Sequence, residues 1–300
     1  MKYLLLLLML CSSLFPAATA QTDGKVEEMA QTGRQILEHP EFRERRRANQ
    51  SFRKALITYV RSESGFDDPL AEVTNMLRLE LGDEARIFTW QMPDSLYKYQ
   101  RFGVVAVRQK DSIIITELTE VEDVESMQFR QLKPGQWYGA LYYESIPESK
   151  RRAKFYTLLG YAPGQEINEK FVDVIEIDKN GRPVFGAKVF RVDQFMDRTL
   201  NRPPMRLILK YGGNYTASVR WLEDEEMIVM DHLAPPDAKL KGVYRMYGPD
   251  MSYDALVWDK NWWHLETEVK FNSGQKIEIR PPDKPLDLPP SGSASEGGRN

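Results

Sequence analysis

A change of hydrophobic period near Met76 limits what this chain can fold into more than any other feature. Upstream, the apolar residues between Phe52 and Val60 recur every three to four positions, which predicts one amphipathic helix face. Downstream, Leu77–Leu81 and Arg86–Trp90 alternate between apolar and polar residues around a Gly-Asp turn. The chain is therefore expected to pass from a helical segment into a hairpin.

The same alternating pattern then repeats to the end of the folded region. Turn residues separate the segments, and Asn180-Gly181 supplies the left-handed backbone that tight hairpins require. We expect Gly212-Gly213 to close another hairpin and Gly248-Pro249-Asp250 to form a turn. The predicted strands cover 102–108, 112–118, 137–143, 154–161, 171–177, 184–190, 207–211, 215–221, 227–230, 244–247, 253–258 and 262–269.

Short strands without long helices between them predict antiparallel pairing, because parallel neighbours need a crossover. The expected fold is mainly β: an antiparallel meander, arranged as a barrel or sandwich, with an N-terminal helical arm. An incomplete propeller ranks second, since no fixed repeat returns from one four-strand unit to the next. The predicted boundaries are a signal peptide (1–20), the helical arm (21–64), the β domain (65–280) and a proline-rich disordered tail (281–300).

The first twenty residues predict export. Lys2, the apolar run Leu4–Leu10 and the small residues Ala18-Thr19-Ala20 follow the order of a cleavable signal peptide. Cleavage would remove Cys11, the one cysteine, so the mature chain would hold no disulfide, thiol nucleophile or thiolate metal site. The expected location is the periplasm, the cell surface or the extracellular space.

Charge and hydropathy exclude some partners. The chain has a net charge of −3, and loss of Lys2 would make it one charge more negative, which gives no support for nucleic acid as a partner. No later window approaches the roughly 20 apolar residues of a spanning helix, so no integral membrane segment is expected after cleavage. With 42% hydrophobic residues, the chain can build a core without disulfides.

Five side chains are candidates for catalysis. Asp231 and His232 close an apolar strand, and Asp250 and Asp254 lie in the polar segment Tyr247–Asp254, with His264 as a further neighbour. The alternative is structural, because strand-end capping and turn chemistry use the same residues. No metal-binding, phosphate-loop or serine-nucleophile motif is present, so neither a metal nor a cofactor is predicted.

Aromatic side chains near the C-terminal hairpins are candidates for ligand binding. Exposed rings stack on sugars or peptides, whereas buried rings fill a core. We expect at least two of the three tryptophans to serve the core. The candidates are Tyr247, Tyr253, Trp258, Trp262 and Trp263.

Several short motifs, in this order, resemble a family of exported proteins from Bacteroidota whose members carry no assigned activity. The resemblance implies a Gram-negative source and no catalytic residue to carry over. It also implies O-glycan acceptors at Asp-Ser-apolar triplets, here Ser95 and Ser112. The motifs are Arg86–Trp90, Tyr156–Tyr161, Pro183–Gly186, Asp231–Leu233, Tyr247–Asp250 and Ser252–Asp254.

Three functional hypotheses follow. The leading one is a non-catalytic exported β protein that binds an envelope protein or glycan, or that serves envelope assembly. The second is a hydrolase acting on envelope or dietary glycans or peptides, which requires the five candidate side chains to converge. The third is a subunit of a larger complex, docked through the helical arm.

Overall fold

The structure is a computed structural model that describes residues 16–96, 98–110, 112–121, 125–147 and 155–269. It confirms a mainly β chain with antiparallel sheets and an N-terminal helical segment. Cys11 and most of the predicted signal peptide, as well as the whole predicted tail, lie outside the described residues. Among the helices in the described ranges, none is long and apolar enough to cross a membrane.

The helical segment comprises α1 (Pro16–Glu38), α2 (Phe42–Val60) and the short α3 (Glu63–Asp67). Ser62 caps α3 by accepting a 3.1 Å hydrogen bond from the amide of Gly65. Helix α2 buries one face, as its apolar spacing predicts. That face consists of Arg45, Ala48, Asn49, Phe52, Leu56, Tyr59 and Val60.

The helices cover one face of a four-stranded antiparallel sheet, which we call the helix-side sheet. Its strands are β1 (Met76–Leu81), β2 (Ala85–Pro93), β3 (Tyr99–Gln109) and β4 (Ser112–Thr119), in that order. Both predicted hairpins of this region are confirmed. Side chains such as Phe88 and Trp90 pack under the helices, whereas Ile87 and Val105 face the opposite way.

A middle sheet packs against that opposite face. It consists of β5 (Leu141–Pro147), β6 (Phe155–Ala162), β7 (Ile167–Ile177) and β12 (Leu207–Gly212), and β8 (Pro183–Phe185) adds to β7. The sheet is buried on both faces, since Phe171 and Ile175 belong to one core and Val172 and Val174 to the next. Two-sided burial explains the nearly continuous apolar sequence of these strands.

The outer sheet closes the stack. It contains β13 (Val219–Leu222), β14 (Met227–Ala234), β15 (Gly248–Asp259) and β16 (Trp262–Glu266), and β9 (Phe190–Arg191) pairs with β16 in parallel. A small hairpin of β10 (Gln194–Phe195) and β11 (Arg198–Thr199) precedes β12. The order is thus helices, helix-side sheet, middle sheet and outer sheet. No sheet closes on itself within the described ranges, so the meander is a sandwich of stacked sheets rather than a barrel.

Two local predictions are wrong because tertiary contacts replace local pairing. Gly212-Gly213 does not close a hairpin, since β12 pairs with β7 while β13 pairs with β14. The glycines instead connect two sheets, and the amide of Gly212 donates to the carbonyl of Tyr247 at 2.9 Å. The predicted strand Tyr244–Tyr247 is a 3₁₀ turn at Tyr244–Met246 followed by a buried Tyr247.

The expected turn at Gly248-Pro249-Asp250 is also wrong, because these residues begin β15. Gly248 and Pro249 lie opposite Ala234 and Leu233 of β14. Proline has no backbone N–H to donate to a neighbouring strand. It is tolerated at the start of a strand, because the hydrogen-bond ladder does not need that donor there. This extension of β15 carries Asp250 alongside β14, where His232 lies.

Candidate functional site

His232 lies between two carboxylates at one end of the outer sheet. Its Nδ1 is 2.8 Å from Oδ2 of Asp254, and its Nε2 is 4.0 Å from Oδ2 of Asp250. Asp254 also accepts a 3.2 Å hydrogen bond from the amide of Glu268. Sequence-predicted residues from two strands therefore meet at one point.

Two backbone irregularities bring these side chains together. The register between β14 and β15 shifts between Asp231 and Leu233, which places His232 at a bulge. On the facing strand Met251 has a φ of 75°, a left-handed value that is costly for a residue other than glycine. Strained backbone of this kind is concentrated at binding and active sites.

Asp197 is a third acidic neighbour of His232, and sequence analysis missed it. It lies between β10 and β11, where Met196 and Asp197 have φ values of 52° and 62°. Its carboxylate accepts a 3.1 Å hydrogen bond from the hydroxyl of Tyr247 and pairs with Nζ of Lys241 at 3.2 Å. Aspartate tolerates left-handed backbone, but nothing in the sequence connects this turn to His232.

The neighbouring charges determine the proton affinity of the site. Burial alone would lower the pKa of His232, but the hydrogen bond to Asp254 and the charges of Asp254, Asp250 and Asp197 outweigh it and raise the pKa. Burial would raise the pKa of Asp250, yet hydrogen bonds from Ser252 and the nearby His232 hold that pKa below its ordinary value. The positively charged imidazole is therefore favoured among carboxylates.

We expect the Hε1 resonance of His232 to titrate with a midpoint above the ordinary value of 6.5. Because the folded-state pKa is raised, this group stabilises the fold fully below the unfolded-state pKa, and that contribution disappears as pH rises through the folded-state pKa. An NMR titration measures the midpoint. Asp254→Asn should lower it more than Asp250→Asn, and an unchanged midpoint in Asp254→Asn would contradict the assignment.

Asp231 and His264 do not join this cluster. Asp231 accepts a 2.7 Å hydrogen bond from the amide of Ser218, and burial is the main cause that raises its pKa. His264 alternates with Trp263 and Leu265, which pack in the core, so His264 faces away from that core. The predicted set of five therefore divides into a cluster of three and two separate residues.

The cluster offers an acid-base group without a nucleophile in contact with it. The hydroxyl of Ser252 donates to Oδ1 of Asp250 at 2.7 Å rather than to His232. In a serine triad, one imidazole nitrogen bonds to the carboxylate and the other bonds to the serine hydroxyl. Here Nδ1 of His232 faces Asp254, and the other nitrogen, Nε2, faces Asp250 instead of a hydroxyl. Within the described ranges, no three histidine, cysteine or acidic side chains are arranged to hold a metal ion.

The five aromatic candidates divide between core and surface. Tyr247 and Trp263 are buried, and Trp258 packs on the same core with its ring 5.0 Å from that of Trp263. Trp262 is half-buried beneath the guanidinium of Arg191, 4.7 Å from the ring centre, and Tyr253 is also half-buried. Two of the three tryptophans thus serve the core, as expected.

Three exposed apolar side chains lie near the first residues of β15, and sequence analysis did not single them out. Met251 is 89% exposed, Tyr215 44% and Met246 36%. The ring of Tyr215 lies so close to Gly248 that a Cβ there would come within 2.7 Å of it. We call Tyr215, Met246, Met251, His232 and Asp250 the β15 rim.

The predicted glycan acceptors lie on the surface. Ser95 is exposed in the loop after β2, where Asp94 accepts hydrogen bonds from the amides of Leu96 and Lys98. Ser112 is exposed at the start of β4, and the preceding Asp111 lies outside the described residues. Glycosylation of both serines stays a prediction, which mass spectrometry of the native protein can test.

Comparisons with known proteins do not assign the chain to a family. No family model, no curated protein and no solved structure matches the chain. The resemblance to exported Bacteroidota proteins therefore stays a prediction.

Proposed function

We propose that the protein is an exported, non-catalytic binding or envelope-assembly module, and that the β15 rim is its contact surface. One observation carries this proposal: among the described residues, three of the four exposed large apolar side chains belong to the rim. Clustered exposed apolar side chains bordered by polar groups are typical of interaction sites.

The chemistry of the rim favours a protein partner that presents apolar and basic groups. Flexible methionine side chains adapt to varied apolar surfaces. Two acidic side chains of the same site are accessible: Asp250 is 40% exposed near His232, and Asp197 is 33% exposed and pairs with Lys241. A glycan partner has less support, because Trp258 and Trp263 serve the core and Arg191 covers Trp262.

The hydrolase hypothesis retains one supporting observation, the hydrogen bond between His232 and Asp254. An imidazole oriented by a carboxylate can transfer protons in acid-base catalysis. The proposed binding function is better supported, because Asp231 and His264 lie apart from the cluster. The two functions respond to different changes: Asp254→Asn would abolish hydrolysis, whereas exchanging Met251 would impair binding alone.

Site-specific photocrosslinking in the source cell tests the proposed function. A benzophenone amino acid replacing Met251 should give a discrete crosslinked product, and the same replacement of Leu96, which is 67% exposed but outside the rim, should not. Adding Asp250→Lys should reduce the yield at position 251 by roughly tenfold, equivalent to about 1.4 kcal/mol of binding. Equal yields at both positions would contradict the proposal.

A further inference from the structure

Lys170 of β7 lies on the inner side of the middle sheet, where a charged side chain is unusual. Side chains two apart in a strand share a face, so Lys170 points the same way as Val172 and Val174. Both valines are buried in the core between the middle and outer sheets. Lys170 itself is half-buried, so solvent reaches only part of it. Lysine is rarely placed toward a core unless another group holds its charge.

Two tyrosine rings, which we call the tyrosine pair, provide the contacts of this ammonium group. Nζ of Lys170 lies 4.6 Å from the ring centre of Tyr143 and 4.8 Å from that of Tyr161. A cation over a ring face is attracted by the π electrons, and more strongly where water is excluded. Within the described ranges, no acceptor takes a hydrogen bond from this Nζ. The ring faces therefore hold the charge without a hydrogen-bond acceptor.

The fold fixes the tyrosine pair in place. Tyr161 lies directly opposite Lys170 in the register of β6 and β7. Tyr143 lies where the register between β5 and β6 shifts, and such a bulge redirects a side chain. The hydroxyl of Tyr143 donates to the carbonyl of Val219 at 2.6 Å. The hydroxyl of Tyr161 donates to Oδ1 of Asn168 at 3.3 Å. Because both hydroxyls are engaged elsewhere, the rings present their faces to the amine.

These surroundings weaken the hold of Lys170 on its proton. Burial lowers the pKa of Lys170 from its ordinary value of 10.5 to about 8, although the charge of Asp231 on β14 acts in the opposite direction. Burial also raises the pKa values of the tyrosines in this region, Tyr143, Tyr161 and Tyr211, so their hydroxyls stay neutral. At neutral pH about a tenth of the Lys170 amines are therefore unprotonated, against roughly three in ten thousand for an ordinary lysine.

We propose that Lys170 is an aldehyde-capture site, at which its amine forms an imine with a small apolar aldehyde. A lysine desolvated among apolar groups is a typical nucleophile toward carbonyl compounds. The lone pair of Nζ forms a bond to the carbonyl carbon, and one amine proton passes to the oxygen to give a carbinolamine. That oxygen then leaves as water with the second amine proton, and a C=N bond remains. The step consumes no oxidant or reductant, and it does not depend on the β15 rim.

The neighbours of Lys170 favour this class of carbonyl compound. Leu209 of β12 lies opposite Lys170 on the side away from Tyr161, so apolar and aromatic side chains flank the amine in both directions. An aldehyde carries only hydrogen on one side of its carbonyl carbon, so it needs less space than a ketone. A protonated imine carries the same positive charge as the ammonium group, and the tyrosine pair and Asp231 already favour that charge.

Reductive trapping on the whole purified protein tests the proposal. In the presence of propanal at neutral pH, hydride from sodium cyanoborohydride reduces each imine to a stable secondary amine, and peptide mass spectrometry measures the rate at each lysine. Lys210 is the matched control, because it is also half-buried on the neighbouring strand but pairs with Glu169 at 3.3 Å. We expect Lys170 to be modified at least about tenfold faster than Lys210.

Two variants test whether the site causes this reactivity. Asp231→Asn removes the charge that favours the ammonium form, so the rate at Lys170 should reach its half-maximum at a lower pH than in the parent protein. Lys170→Arg keeps a cation over the tyrosine pair, so it should retain the parental thermal unfolding and lose the fast-reacting amine. Modification of Lys170 no faster than that of Lys210 would overturn the proposal. An unchanged pH profile in Asp231→Asn would overturn it as well.

Discussion

A chain that begins at Gly65 is expected to lose cooperative folding and to aggregate. The helices are a structural layer, because Phe52, Leu56 and Val60 share one core with Phe88 and Trp90 of the helix-side sheet. Trp90 also donates a 2.7 Å hydrogen bond from Nε1 to Oδ1 of Asn49 on α2. Deletion would expose this sheet face, and gel filtration with thermal unfolding measures the result.

Point variants in the whole protein separate this effect from damage at the new terminus. Phe52→Ala should lower the free energy of unfolding by about 3–5 kcal/mol, because Phe52 is fully buried and its ring packs edge-on against that of Trp90, with the ring centres 5.4 Å apart. Arg47 is exposed and pairs with Glu44, so Arg47→Ala should change the free energy of unfolding by no more than about 0.5 kcal/mol. A Gly65 chain that unfolds cooperatively as a soluble monomer would disprove the structural role of the helices.

The sequence predicts those parts of the fold in which short-range patterns decide the structure. The stripe from Phe52 to Val60 and the alternation around Gly82 determine which faces are buried, and both are confirmed. The predicted hairpin at Gly212-Gly213 is wrong for a physical reason. A pair of glycines signals a turn, but the choice of partner strand depends on contacts between residues far apart in the sequence. Here β12 pairs with β7, and β13 pairs with β14.

The candidate site was predictable only in part, for a related reason. His232, Asp250 and Asp254 are visible as polar residues near strand ends, and the structure brings them together. Asp197 reaches His232 from a turn 35 positions earlier, and the exposed Met251 has a left-handed backbone. Neither a long-range approach nor an unusual φ leaves a pattern in local composition.

The buried ion pair of the middle sheet is expected to show the second large effect. Arg206 and Asp173 are 0% and 1% exposed, and Nε of Arg206 lies 3.1 Å from Oδ1 of Asp173. The hydroxyl of Tyr142 donates to the other carboxylate oxygen at 3.1 Å, and Arg206 also donates to the carbonyls of Met127 and Arg130. Arg206→Met would leave the Asp173 carboxylate buried without its counter-charge. We therefore expect it to lower the free energy of unfolding, measured by urea denaturation, by about 3–5 kcal/mol.

A double variant tests whether the lost energy comes from the stranded charge. Asp173→Leu combined with Arg206→Met removes both charges, so it should recover part of the loss, whereas the carbonyls of Met127 and Arg130 still lose their donor. As a control, Arg53→Met removes a half-exposed ion pair with Glu117 and should change the free energy of unfolding by no more than about 1 kcal/mol. If the double variant is as unstable as the sum of its single variants, the charge is not the cause. The cost then comes from packing and the lost carbonyl contacts around Arg206.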